Sequence, residues 1–199
     1  YMAFEKDFMR FMLSDGAGAV LVQDHPEGIC PLKIEWVDMT SYANELPTCM
    51  FMASELQENG RLKSWKEFSL DEIKERAVLV GKQDIRQLKK HIIKYWVDHI
   101  ETVLAKHHVK AEEIDYVIPH VSSMFFYEKL NDEIAARNIA LTKEKWFTNL
   151  TSVGNIGSAA IYVGLEELIR TKGIKQGDKI LLLVPESGRF SYGTVLLSA

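Results

Sequence analysis

The chain has 199 residues, of which 47% are hydrophobic and 26% charged, and these averages exclude a low-complexity, collagen-like or disordered protein. A formal net charge of -4 offers no field for nucleic acid or an anionic membrane, and no apolar run approaches the roughly 20 residues that span a bilayer. We therefore expect a cytoplasmic protein. Because the chain begins at Tyr1 and not at a methionine, we also expect it to be part of a longer protein.

The first third of the chain predicts mostly loop. Asp15-Gly16-Ala17-Gly18 is turn chemistry, and the apolar residues 19–22 after it predict a strand. A dinucleotide loop is rejected, because that fingerprint requires a helix after the glycines. Residues 23–60 carry several prolines and glycines and predict loop with one or two strands, one of them at 33–37. Ser69 and Glu72 form a capping box that opens a short helix.

Residues 84–106 carry apolar side chains on one helical face and predict the longest helix. Its histidines lack the i, i+4 spacing that a metal site would use, so we expect no metal and solvated histidines, namely His91, His99, His107 and His108. Residues 114–118 predict a buried strand that stops at Pro119, because proline cannot donate to a strand ladder. His120 then stands at the carboxyl end of that strand.

The last third alternates helices with strands. A helix is expected after Met124, a strand over 146–150, and a second helix that opens at 154–158 and stops at Gly173. Asn155 would then lie at a strand-to-helix junction. Two adjacent strands, 179–184 and 190–197, flank a turn through 186–188. This alternation predicts an α/β layered fold with ligands at the carboxyl ends of its strands.

Three features converge on that edge of the predicted sheet: His120, Asn155 and the turn that contains Gly188. A neutral imidazole and a carboxamide can both donate to one oxygen, as a developing enolate requires, and an exposed N–H at Gly188 could serve another oxygen. Structural interpretations remain open at this stage. They are a strand-end histidine, a helix-capping asparagine and a hairpin glycine.

Four segments together resemble the 3-oxoacyl-acyl-carrier-protein synthase III (ketoacyl synthase III) family: SDGAGAVLV, EEIDYVIPH, VGNIGSAAI and ESGRFSYG. The resemblance implies a thiolase-like layered fold, present here as the C-terminal half only, with helices packed on a mixed sheet. Residues 1–199 would form this single C-terminal domain. Residues 23–80 match poorly and read as an insertion-like segment. The N-terminal half, which holds the family's nucleophile, would be absent.

The resemblance also implies roles for individual residues. His120 and Asn155 would be catalytic, and Gly188 would be the glycine of the oxyanion hole. Cys30 and Cys49 fit no nucleophile position, and we expect both to be reduced, packed thiols; the nucleophilic cysteine would not be in this chain. The substrate pocket would be lined by four residues, namely Ser123, Phe125, Glu186 and Ser187.

The function implied is that of a decarboxylating Claisen condensing enzyme, which joins an acyl thioester to a malonyl or β-ketoacyl thioester in fatty acid or polyketide-type synthesis. Its partners would be thioesters of coenzyme A or of acyl carrier protein, without a further cofactor, and we expect a homodimer. Two alternatives stay open. They are a catalytically silent partner subunit of the same fold and a simple acyl-thioester binding module.

Overall fold

A four-stranded mixed sheet forms the centre of the fold in the computed structural model, which describes residues 11–25, 28 and 31–199. In chain order the strands are β1 (Lys33–Ser41), β2 (Met50–Phe51), β3 (Ser54–Leu56), β4 (Leu62–Ser64), β5 (Lys82–Gln83), β6 (Tyr116–Pro119), β7 (Lys179–Glu186) and β8 (Ser191–Ser198). The central sheet has the order β1-β8-β7-β6, and only β6 and β7 are parallel. The short strands form two antiparallel pairs, β2 with β5 and β3 with β4.

Five α-helices are described: α1 (Leu70–Glu75), α2 (Ile85–Lys106), α3 (Met124–Ala136), α4 (Leu150–Val153) and α5 (Ala160–Lys172). Short 3-10 helices lie at Trp65–Glu67, Ala111–Glu113, Lys143–Lys145 and Gly157–Ala159. None of the helices in the described part of the chain has both the length and the hydropathy to cross a membrane.

The sheet separates two apolar clusters, as the alternation of side chains along a strand requires. Val117, Leu181 and Leu183 face the larger cluster, which includes residues of α2 and α3. Ile118 and Leu182 face the smaller cluster, together with Leu168 of α5. Helices therefore cover both faces of a mixed sheet, which confirms the predicted α/β layered architecture.

The long helix α2 lies where the apolar pattern of the sequence predicted it. The side chain of Asp84 accepts hydrogen bonds from the backbone N–H groups of Arg86 (2.9 Å) and Gln87 (3.0 Å), so the helix begins where the apolar periodicity begins. The capping box at Ser69 and Glu72 is also present, and Gly173 ends α5 in the left-handed conformation. The hairpin of β7 and β8 lies where two adjacent strands were expected.

Two predicted strands are wrong. Residues 19–22 form no strand. Within the described ranges they pair with no other strand, and their side chains are exposed. Residues 146–150 make only one isolated bridge, between Val117 and Trp146. The carbonyl of Asn149 then accepts from the N–H groups of Ser152 and Val153, so the chain turns into α4 instead of continuing as a strand.

His99 is fully buried, which contradicts the expectation of solvated histidines on α2. Its Nδ1 lies 3.1 Å from the hydroxyl oxygen of Thr40 on β1, and its Nε2 lies 2.9 Å from that of Thr194 on β8. His107 is half-buried and lies 2.8 Å from Asp38. The periodicity of α2 alone could not show these contacts, because both threonine partners come from distant strands.

His99 should make stability depend on pH. Burial lowers the pKa of its imidazole below the ordinary 6.5, so the unfolded chain binds a proton that the folded protein excludes. The free energy of unfolding should therefore fall as the pH drops below about 6.5, at no more than about 1.4 kcal/mol per pH unit for this group.

A His99→Gln variant should show a flatter pH dependence in chemical denaturation between pH 7 and 5. His108→Gln is the control, because His108 is exposed. Identical slopes in the His99→Gln variant and the unmodified protein would contradict this assignment.

Candidate functional site

A cavity of about 420 Å³ lies between α2 and the carboxyl ends of β6 and β7. Its apolar wall includes Leu88, Ile92 and Trp96 of α2 and Phe126 of α3. Its polar lining includes Gln83, His120, Asn155, Glu186 and Ser187. The two residues that the sequence singled out at separate junctions, His120 and Asn155, therefore line the same cavity.

His120 follows directly after β6. Its backbone N–H donates to the carbonyl oxygen of Leu183 at 2.8 Å, which continues the parallel pairing of β6 with β7. Burial lowers the pKa of the imidazole, so the ring is neutral at physiological pH. A neutral ring carries one N–H that can donate and one nitrogen that can accept.

Asn155 is buried, with 7% of its surface exposed. Its Oδ1 accepts a hydrogen bond of 3.1 Å from the backbone N–H of Gly157. Because a backbone N–H can only donate, this contact fixes which end of the amide is oxygen. Within the described part of the chain no partner is recorded for Nδ2. The amide donor is therefore available to a molecule in the cavity.

Residues 13–18 hold the backbone of Asn155 in place. Leu13 and Asn155 form an isolated parallel bridge, and the N–H of Ser14 donates to the carbonyl oxygen of Asn155 at 2.8 Å. A Cβ atom at Gly16 would lie 2.8 Å from the side chain of Ile156. The glycines that the sequence assigned to a turn thus also permit a close approach beside Asn155.

The turn after β7 differs from expectation. The sequence predicted an exposed N–H at Gly188, whereas Gly188 is buried and its N–H donates to Oε1 of Glu186. The other carboxylate oxygen of Glu186 accepts from the N–H of Arg189 at 3.0 Å. The carbonyl oxygen of Gly188 accepts from the N–H of Cys49 at 2.8 Å.

Two of the four predicted pocket residues, Glu186 and Ser187, line the cavity, whereas Ser123 and Phe125 do not. Ser123 is the N-cap residue of α3, and the ring of Phe125 is 52% exposed. Their neighbours Ser122 and Phe126 line the cavity instead. For Phe126 the reason is the helix register, since a shift of one residue along an α-helix turns a side chain by about 100°.

Gln83 is a site residue that the sequence analysis missed. Its Nε2 donates to the hydroxyl of Ser187 at 3.1 Å, and both residues line the cavity. A polar residue immediately before a helix N-cap was the available signal, although that position alone did not indicate which way its side chain points.

Cys49 has the properties of a structural thiol, as predicted. It is fully buried, its S–H donates to the carbonyl oxygen of Asp84, and burial raises its pKa to about 12. A thiol that stays protonated is a poor nucleophile. Cys30 lies outside the described residues.

Among the described residues, no group of three or more His, Cys, Asp or Glu side chains is placed to hold a metal ion.

Comparison with known proteins gives consistent matches. Residues 104–198 match the family described as 3-Oxoacyl-[acyl-carrier-protein (ACP)] synthase III C terminal. A β-ketoacyl-[acyl-carrier-protein] synthase III from Clostridium perfringens is 27% identical over 186 residues, which are 94% of this chain and 52% of the relative. The protein of that name from Aquifex aeolicus is 33% identical over 112 residues, 56% of this chain and 34% of the relative.

A crystal structure of 3-oxoacyl-[acyl-carrier-protein] synthase III from Aquifex aeolicus superimposes with a TM-score of 0.57 at 24% identity. The match covers 87% of this chain and 46% of that chain. This likeness confirms the thiolase-like fold, and the sequence matches confirm the resemblance to the family. The chain therefore spans about half of the relative from Clostridium perfringens and a smaller part of the relative from Aquifex aeolicus.

Gly154 should be required for the position of Asn155. Its φ of 83° and ψ of -177° belong to a region that is essentially restricted to glycine, and a Cβ would lie 2.4 Å from Oγ of Ser14. Gly154→Ala should therefore lower the free energy of unfolding by about 1–3 kcal/mol and shift the side-chain amide NMR signals of Asn155.

The matched control is Gly173→Ala. Gly173 also has a positive φ, of 61°, but an added Cβ there would meet nothing within 4 Å. In Gly173→Ala the side-chain amide NMR signals of Asn155 should be unchanged. The free energy of unfolding should also fall by less than in Gly154→Ala. Equal losses, with no movement of the Asn155 signals in either variant, would contradict the packing described for Gly154.

Proposed function

We propose that this chain is the C-terminal half of a decarboxylating Claisen condensing enzyme, because residues 104–198 match the 3-oxoacyl-[acyl-carrier-protein] synthase III C-terminal family. The enzyme would join an acyl thioester to a malonyl or β-ketoacyl thioester, as in fatty acid or polyketide-type synthesis. One observation carries the proposal: His120 and Asn155 line one cavity, and among the described residues neither the His120 ring nor Nδ2 of Asn155 has a hydrogen-bond partner.

The two donors suit the charge that this reaction develops. When a malonyl thioester loses carbon dioxide, the C–C bond to the carboxylate breaks and its electron pair forms an enolate. The negative charge then collects on the thioester oxygen. Hydrogen bonds from the His120 imidazole N–H and from Nδ2 of Asn155 would stabilise that oxygen, and preorganised donors of this kind act most strongly where water is excluded.

The enolate carbon would then attack an acyl group held as a thioester on a cysteine. A new C–C bond forms, the C–S bond to the cysteine breaks, and the thiolate is regenerated. We propose that this cysteine belongs to a part of the protein outside this chain, since the properties of Cys49 do not suit the role. No cofactor beyond the thioester carrier is needed for these steps.

The state of His120 supports its assignment as a donor to the enolate. Burial lowers the imidazole pKa, which keeps the ring neutral near pH 7. A neutral ring already carries the one N–H that donates to the enolate oxygen, so its protonation state does not have to change during the reaction. Decarboxylation should therefore not lose activity as the pH falls from 8 to 6.5.

We propose that the acyl chain occupies the apolar part of the cavity, beside Leu88 and Trp96.

The carrier of the thioester, either coenzyme A or acyl carrier protein, bears phosphate. The exposed cationic residues Arg86, Lys89 and Lys90 on α2 stand beside Leu88 in the sequence of the helix and suit such an anion. Synthesis of this kind would take place in the cytoplasm.

We further propose a homodimer. The outward face of β1 exposes Val37 and Met39, with 65% and 74% of their surfaces accessible, and Ile34 is 47% accessible. Apolar side chains on neighbouring positions of one strand mark a surface that another protein segment covers. Sedimentation of the full-length protein should give the mass of two protomers. A mass of one protomer at micromolar concentration would contradict the dimer.

The main test uses Asn155→Ala and His120→Ala in the full-length protein. Loss of one oxyanion-type donor typically costs about 100- to 1000-fold in turnover, so malonyl decarboxylation should collapse in both variants. Transfer of a labelled acyl group onto the cysteine should survive better, most clearly in Asn155→Ala, because it does not form the enolate.

His108→Ala is the control, since His108 is exposed at the end of α2 and outside the cavity lining. Equal loss of acyl transfer and decarboxylation in Asn155→Ala would reject the assigned role. Thioester binding without any turnover in the unmodified full-length protein would favour the silent subunit or the binding module.

A further inference from the structure

The turn from Glu186 to Arg189 already contains an anion bound to the N–H of Gly188. One carboxylate oxygen of Glu186 accepts from Gly188, and the other accepts from Arg189 at 3.0 Å. A carboxylate oxygen is the closest protein counterpart of a negatively charged thioester oxygen. The Glu186 side chain therefore occupies, from within the chain, the place that an oxyanion would take on this N–H.

The carboxylate of Glu186 lies close against the backbone of Gly188. A Cβ atom at position 188 would lie 2.6 Å from Oε1 of Glu186, so any larger residue would push the carboxylate away. The carbonyl oxygen of Gly188 accepts from the N–H of Cys49 at 2.8 Å, which fixes the orientation of the turn. Glu186 also lines the cavity that contains His120 and Asn155.

We propose that Glu186 competes with the acyl thioester for the Gly188 N–H and so slows acylation of the enzyme. The proposal rests on the function proposed above and on the oxyanion-hole role that the family resemblance implies for Gly188. In the acylation step a thiolate attacks the thioester carbonyl carbon, and the π electrons of the C=O bond move to oxygen. The carrier thiolate then leaves, so one C–S bond forms and one breaks. The oxygen needs its donor only while it carries the charge.

Glu186 has room to yield this donor. It is an exposed residue at the last position of β7, whereas Gly188 is buried and held by Cys49. The carboxylate can therefore move while the turn stays in place. Breaking one charge-assisted hydrogen bond costs about the equivalent of a tenfold change in an equilibrium constant.

The test compares Glu186→Ala and Glu186→Gln in the full-length protein. Alanine removes the competing acceptor, so the kcat/KM for acylation by a thioester should rise about tenfold, mainly through a higher kcat, because the oxygen uses the donor only while it carries the charge. Glutamine keeps the length of the side chain and one acceptor oxygen but loses the charge, and should give a smaller increase. Glu58→Ala removes an exposed carboxylate outside the cavity lining and should change nothing.

Amide hydrogen exchange at Gly188 gives a second readout that does not depend on turnover. Exchange of this N–H should become faster in Glu186→Ala and should slow again when a non-hydrolysable acyl thioester analogue binds. An unchanged or lower kcat/KM in both Glu186 variants, or an unchanged exchange rate in Glu186→Ala, would overturn the proposal. Failure of the proposed function would appear differently, as an absence of acylation in the unmodified protein.

Discussion

The hydrogen bond from the His120 N–H to the Leu183 carbonyl oxygen joins the fold to the candidate site. It carries the parallel pairing of β6 and β7 past Pro119, whose own nitrogen has no proton to donate. β6 ends at Pro119, opposite Leu183, and β7 continues to Glu186 in the same direction, so His120 and the turn that begins at Glu186 lie at the same edge of the sheet. Without this pairing, the imidazole and the turn would have no fixed relation across the cavity.

The elements that the sequence predicted well are those with a strong local pattern. The helix α2 repeats its apolar residues over six turns and begins at a capping aspartate, and the hairpin of β7 and β8 has two apolar strands around a short turn. Residues 19–22 and 146–150 have equally apolar sequences but lack a ladder of partners. Pairing is a property of the whole sheet, so composition alone could not decide it.

The residues of the candidate site also divide into those that the sequence could predict and those that it could not. The position after β6 was enough to place His120 at this edge, since ligand sites of α/β folds gather at strand ends. Asn155 lines the same cavity but follows α4 and not the strand expected over 146–150, so the reason that the sequence offered for its position was wrong. Rotation about α3 decided between Phe125 and Phe126, and that required the register of the helix. The carboxylate of Glu186 at the Gly188 N–H was also unpredictable, because either orientation of a glutamate side chain is compatible with the turn sequence.

His99 connects three elements through the two nitrogens of its ring. Its neutral ring has a single N–H, yet both nitrogens face hydroxyl groups, Thr40 on one side and Thr194 on the other. One hydroxyl must therefore accept while the other donates, and the tautomer of the ring orders both. The edge strand β1, the helix α2 and the inner strand β8 are thus joined by a directional hydrogen-bond chain, whose polarity reverses only if the ring changes tautomer and both hydroxyl groups rotate.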